Sequence, residues 1–106
     1  MNDDLFLEEL KNYIIINIST PNLNVKTIIK HFGISRTQFY RKMEEHTSVS
    51  LSQYIRSIRL ENALELLNAN ELNLTEIAYA VGFSSLSHFS KTFKKVYGKT
   101  PSEWQG

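Results

Sequence analysis

The chain has no cysteine, and in 106 residues only two prolines and four glycines. Without cysteine there is no disulfide framework, no thiolate zinc site and no cysteine nucleophile, a composition suited to a reducing cytoplasm. No stretch approaches the roughly 18 uninterrupted apolar residues of a membrane-spanning helix. The opening MNDDLFLEEL lacks the basic flank and long apolar region of a secretion signal. A cytoplasmic protein that makes no membrane contact is expected. A strong excess of one charge is also missing, since the net charge is +1, too little to name a partner. That average hides a gradient. Residues 1–23 hold Asp3, Asp4, Glu8 and Glu9 against Lys11 alone, a balance of −3, and residues 24–106 carry +4.

What the chain does have is helical periodicity. Apolar residues recur every three or four positions almost throughout, interrupted only by Pro21 and Pro101 and by glycines at 33, 82, 98 and 106. The segment YIIINI, Tyr13 to Ile18, has the β-branched run of a buried strand. Leu7, Leu10, Ile14 and Ile18 share a helical face, however, so helix is expected there too. Helix starts are marked by a small polar residue followed three positions later by Glu or Gln, the pair that satisfies orphan backbone N–H groups reciprocally. Ser35 with Gln38, Ser50 with Gln53, Asn73 with Glu76 and Thr100 with Glu103 fit, the last with Pro101 at the first helical position. These signals predict an all-α fold of about seven helices, over residues 3–19, 25–31, 35–46, 51–69, 74–80 and 85–96, and a short one from 101.

A repeat organises these helices. IIKHFGIS, Ile28 to Ser35, matches IAYAVGFS, Ile77 to Ser84, with Gly33 and Gly82 in register 49 residues apart. In both, about two helical turns run into glycine, a large apolar residue, then a serine that opens a second helix: the outline of a helix-turn-helix. Past the glycine the copies differ by one residue, after which Phe39 and Met43 match Phe89 and Phe93, both pairs spaced to face their own core. The chain is thus expected to be one DNA-binding domain over 1–106. Its parts are a first helix-turn-helix at 24–46, a linker helix at 50–69 and a second helix-turn-helix at 74–97, built as homeodomain-like three-helix subdomains.

With Phe39 and Met43 turned inward, Arg36, Thr37, Tyr40 and Arg41 occupy the outer face of the first recognition helix, flanked by Lys42. Arginine grips guanine O6 and N7 bidentately, and Tyr and Thr add hydroxyls and apolar contact for a thymine methyl. The second helix presents Leu86, Ser87, His88, Ser90 and Lys91, with Lys94 and Lys95 a turn further on. Serine and leucine are weaker readers, so the first head is expected to discriminate bases and the second to anchor on phosphate. The starts of the preceding helices, with Lys26 and Thr27 in one and Thr75 in the other, suit phosphate oxygens. Nineteen residues of linker helix, with Leu51, Tyr54, Ile55, Ile58, Leu66 and Leu67 at helical spacing, would span roughly 28 Å. Successive major grooves on one face of DNA lie roughly 34 Å apart.

The block Ile77 to Trp104, IAYAVGFSSLSHFSKTFKKVYGKTPSEW, closely resembles the signature that ends AraC/XylS-family transcription regulators, and the similarity extends upstream to Asn24. That resemblance implies two helix-turn-helix units binding adjacent major grooves of double-stranded promoter DNA and activating transcription through RNA polymerase. By motif position it implies base contacts from Arg36, Thr37, Tyr40, Arg41, Leu86, Ser87, Ser90 and Lys91. Three positions depart from the family pattern: Ser48 where glycine is common, Met43 where Phe is common and Gln105 where Arg often stands. They bear on the first unit's C-terminal cap and on one phosphate contact. SRTQFYRK followed by IRSIRL resembles the output domains of Bacteroides-type hybrid two-component regulators, which implies an output domain excised from a protein with a sensor or dimerisation module.

Two other classes of function remain to be weighed. His31, His46 and His88 have no metal-ligand spacing, and the chain lacks a Ser/His/Asp constellation and a glycine-rich phosphate loop, so no enzyme, metal or cofactor is expected. The helical faces could instead bind a protein partner, and the salt dependence of DNA binding separates the two.

Overall fold

A computed structural model describes residues 5–20 and 23–106, and its seven regular elements are all α-helices. In order they are α1 (Phe6–Ile16), α2 (Val25–Phe32), α3 (Arg36–His46), α4 (Leu51–Ala69), α5 (Leu74–Ala80), α6 (Leu86–Tyr97) and α7 (Pro101–Gln105). The expected helix over 3–19 is shorter: residues 3 and 4 lie outside the described residues, and α1 ends at Ile16. The cause is local. The Asn17 side-chain amide donates to the Tyr13 carbonyl at 2.9 Å and the Ile18 N–H turns to Ile15, closing the helix with a tighter turn.

The four expected capping boxes all form. In each, the N-cap side chain accepts from the N–H three residues on and the Glu or Gln there accepts from the N-cap N–H, at 2.8–3.2 Å. A fifth opens α2, where Asn24 is paired with Thr27 in place of Glu or Gln.

The chain divides into two compact units, Met1–Ile58 and Arg59–Gly106, with the boundary inside α4. In the first, Phe6, Leu10 and Ile14 of α1 are fully buried with Ile28 of α2 and Phe39 of α3, and Met43, Leu51, Ile55 and Ile58 complete the core. Rings of Phe6, Phe32 and Phe39 meet pairwise at 5.3–5.5 Å in tilted or edge-on contact. Helix α1 is therefore part of the first unit's core.

In the second unit Leu60, Ala63 and Leu67 of α4 are buried, as are Ile77, Ala78, Val81, Phe83, Phe89, Phe93 and Pro101. An aromatic chain runs from Phe83 through Phe89 and Phe93 to Tyr97 and Trp104, and fastens α7 to α6. Burial of the Tyr97 phenol, aided by the Glu61 carboxylate, raises its pKa.

Candidate nucleic-acid interface

Helices α3 and α6 each follow a turn whose geometry comes from its residues, and the two turns differ. In the first unit Gly33 takes the left-handed conformation at φ +66°, and its N–H returns to Ile29 and Lys30. Ile34 then dips toward the core and Ser35 caps α3. In the second unit α5 stops one residue earlier in register, at Ala80, and Gly82 sits in the turn at φ +97°. Ser84, expected to open the second helix, lies in this turn instead, and Ser85 is the N-cap, its hydroxyl accepting from the His88 N–H at 3.1 Å. The one-residue offset between the copies is thus absorbed before the recognition helix begins.

The helix ends differ as well. Gly98 closes α6 in the left-handed conformation at φ +84°, whereas α3 ends in an extended Thr47 with φ −155°. Among the described residues Asn70 is the only non-glycine with positive φ, so Ser48 is not required to adopt the conformation for which glycine would be favoured. The serine is accommodated by a different cap.

With Phe39 fully buried and Met43 nearly so, Arg36, Thr37, Tyr40 and Arg41 are all exposed and line one open cleft of about 460 Å³. Tyr40 keeps 37% exposure while its ring stands edge-on to Phe39 at 5.8 Å. Arg41 also borders a second cleft with Ile34, Gln38, Lys42 and Glu45, where Lys42 is half-buried. On α6, Ser87, His88 and Lys91 are exposed, but Leu86 and Ser90, expected to face outward, are half-buried. Lys94 and Lys95 are exposed in the last turn of α6. Lys26 and Thr75 are exposed in the first turns of α2 and α5. The Thr27 hydroxyl is engaged by Asn24 in the capping box.

The histidines are engaged in packing. His31 stacks on Tyr13 at 4.2 Å and approaches Glu9 at 3.7 Å, His46 stacks on Phe6 at 5.8 Å, and His88 meets Phe83 edge-on at 5.3 Å. Among the described residues no three His, Asp or Glu side chains gather into a metal-binding group, and no helix is long and apolar enough to cross a membrane.

One acidic residue was not among the expected contacts. Glu44 completes the lining of the 460 Å³ cleft, and its spacing from Tyr40 and Arg41 was the only signal that could have indicated it.

The comparisons agree with this geometry. The helix-turn-helix domain family model matches residues 28–106. The chain is 33% identical over 103 residues to histidine kinase P4 of Formosa agariphila, covering 97% of this chain and 8% of that protein. It is 31% identical over 81 residues to the HTH-type transcriptional activator RhaS of Escherichia coli O139:H28, covering 76% of this chain and 29% of RhaS. The chain thus spans less than a third of either relative. A solved transcriptional regulator with an AraC-type DNA-binding domain, from Chromobacterium violaceum, superposes with a TM-score of 0.86 at 31% identity, covering 96% of this chain and 90% of that one. Two glycine-turned helix pairs, each presenting a polar helix from an aromatic core, and a family match over most of the length lead to one conclusion: the chain belongs to the AraC-type helix-turn-helix family of DNA-binding transcription regulators.

Proposed function

We propose that this chain is the DNA-reading part of a larger sensor-regulator that activates transcription, with α3 and α6 entering adjacent major grooves of double-stranded promoter DNA. The observation that carries the reading is the cleft on α3, where two arginines, a threonine and a tyrosine are exposed together over a buried Phe39. Arg36, Thr37, Tyr40 and Arg41 read base edges there. Ser87, His88 and Lys91, with Leu86 and Ser90 at their margin, make the looser contacts of α6. Lys26, Lys42, Lys94 and Lys95, with the helix starts at Thr27 and Thr75, hold phosphates.

The small shares of P4 and RhaS that the chain spans support its working alongside a sensor or dimerisation module. The activator name of RhaS supports contact with RNA polymerase. A tethering module would also raise the local concentration of a domain whose own affinity is modest.

The test is a mobility-shift titration with salt. Four lysine–phosphate contacts give a slope of log affinity against log salt of about −3 to −4, a loss of roughly a hundredfold between 50 and 200 mM. Failure to shift any duplex at low salt would overturn the reading in favour of a module that binds protein.

A further inference from the structure

Glu44 is exposed in the last turn of α3, four residues beyond Tyr40 and three beyond Arg41, and shares their cleft with Arg36 and Thr37. With Tyr40 it also borders a neighbouring cleft of about 450 Å³ that runs over Met43 to Val49 and Leu51. An ionised carboxylate only accepts hydrogen bonds. Phosphate repels it, as do guanine O6 and N7 and thymine O4, which are acceptors themselves. In the major groove it finds donors only at the exocyclic amines of cytosine and adenine, and the adenine amine lies beside the acceptor N7. Cytosine N4 is the base-edge group that suits it.

We propose that Glu44 is a specificity-determining residue of the first head, accepting a hydrogen bond from cytosine N4 and opposing registers that bring phosphate or another acceptor to that point. This rests on the reading that α3 enters the major groove. The carboxylate lowers affinity for random DNA and raises discrimination, since specificity is a difference that repulsion can widen as well as attraction.

The experiment measures binding of the full chain to duplexes randomised across the first half-site and to random duplex at low salt. It compares the unaltered chain with Glu44→Ala, Glu44→Gln and Glu8→Gln. Glu8 is exposed on α1, so its substitution makes the same change in net charge as Glu44→Gln away from the cleft. Circular dichroism melts check that each variant folds.

The unaltered chain is expected to prefer C·G at one position by about 5- to 150-fold. Glu44→Ala should flatten that position alone and bind random duplex about threefold more tightly or better, as expected when a like charge leaves the phosphate side. Glu44→Gln should move the preference toward adenine, which an amide can bind through N6 and N7. A C·G preference that survives Glu44→Ala overturns the assignment of Glu44 while leaving the reading of α3 intact. So does a gain on random duplex no larger than that of Glu8→Gln. No base preference anywhere in the half-site for the unaltered chain overturns the reading of α3 itself, and the proposal with it.

Discussion

Replacing Phe6 by alanine asks whether α1 is a structural part of the first reading head. The side chain is fully buried, its ring lies 5.3 Å from Phe32 and 5.4 Å from Phe39, and His46 stacks on it at 5.8 Å. Truncation of such a ring removes its transfer free energy and leaves a cavity, and costs about 3–5 kcal/mol. That is a large fraction of the roughly 5–15 kcal/mol by which a domain is stable. At about 8 °C per kcal/mol for a unit of this size, the first unit's transition should fall by roughly 24–40 °C. Urea or thermal melts followed by circular dichroism read the loss. Leu5→Ala, at a residue 50% exposed one position earlier, should cost no more than about 0.5 kcal/mol. Because Phe39 is buried beneath the face of α3 that we propose reads DNA, Phe6→Ala should also weaken specific binding at temperatures where α6 remains folded. A loss under about 1 kcal/mol with unchanged binding would refute the placement of α1 in the core.

Other perturbations test separate links. Gly98→Ala places a Cβ where no neighbouring atom lies within 4 Å, so its cost is that of the left-handed backbone alone, about 1–2 kcal/mol by chemical denaturation. The Glu103 carboxyl is held below its ordinary pKa of 4.5, first by the hydrogen bond from the Thr100 backbone N–H, then by the Thr100 hydroxyl, with Lys94 and Lys99 adding a smaller pull. A depressed carboxylate stabilises the fold above its unfolded pKa and loses that contribution as pH falls through the folded value. Fluorescence of Trp104, the only tryptophan, should therefore report loosening of α7 as pH falls below 4.5, and Glu103→Gln should lessen that acid response. For DNA, Arg41→Ala should weaken specific binding by about 1–3 kcal/mol and relax one base position. Lys95→Ala should weaken all sequences alike and reduce the salt slope by about 1, and equal losses on specific and random duplex for both variants would contradict the division of roles.

Most of the fold was legible because its signals are local. A capping box lies within four residues, and Ser35, Ser50, Asn73 and Thr100 each formed the bonds their spacing predicted. The repeated glycine turns were equally plain. What escaped depended on partners distant in sequence or on competition between neighbours. Phe6 belongs with Phe32 and Phe39, a pairing that no spacing in the N-terminal segment announces. Leu60 and Ala63 of α4 are buried in the second unit, yet neither belongs to the apolar stripe of Leu51, Tyr54, Ile55, Ile58, Leu66 and Leu67 read from that helix. Ser84 and Ser85 are equally good N-caps on composition, and only the earlier end of α5 decides for Ser85. The outward face of α3 was searched for groups that suit guanine, thymine or phosphate, which passed over Glu44 although it lines the same cleft as Arg41.

Selection of bound sequences from a random duplex pool, followed by footprinting of the enriched site, tests the central claim most directly. Two protected patches about one helical turn, or roughly 10.5 base pairs, apart are predicted, with sharp base preference under α3 and shallow preference under α6. Enrichment of a single patch, or of no sequence at all, would contradict a chain that reads DNA with two heads.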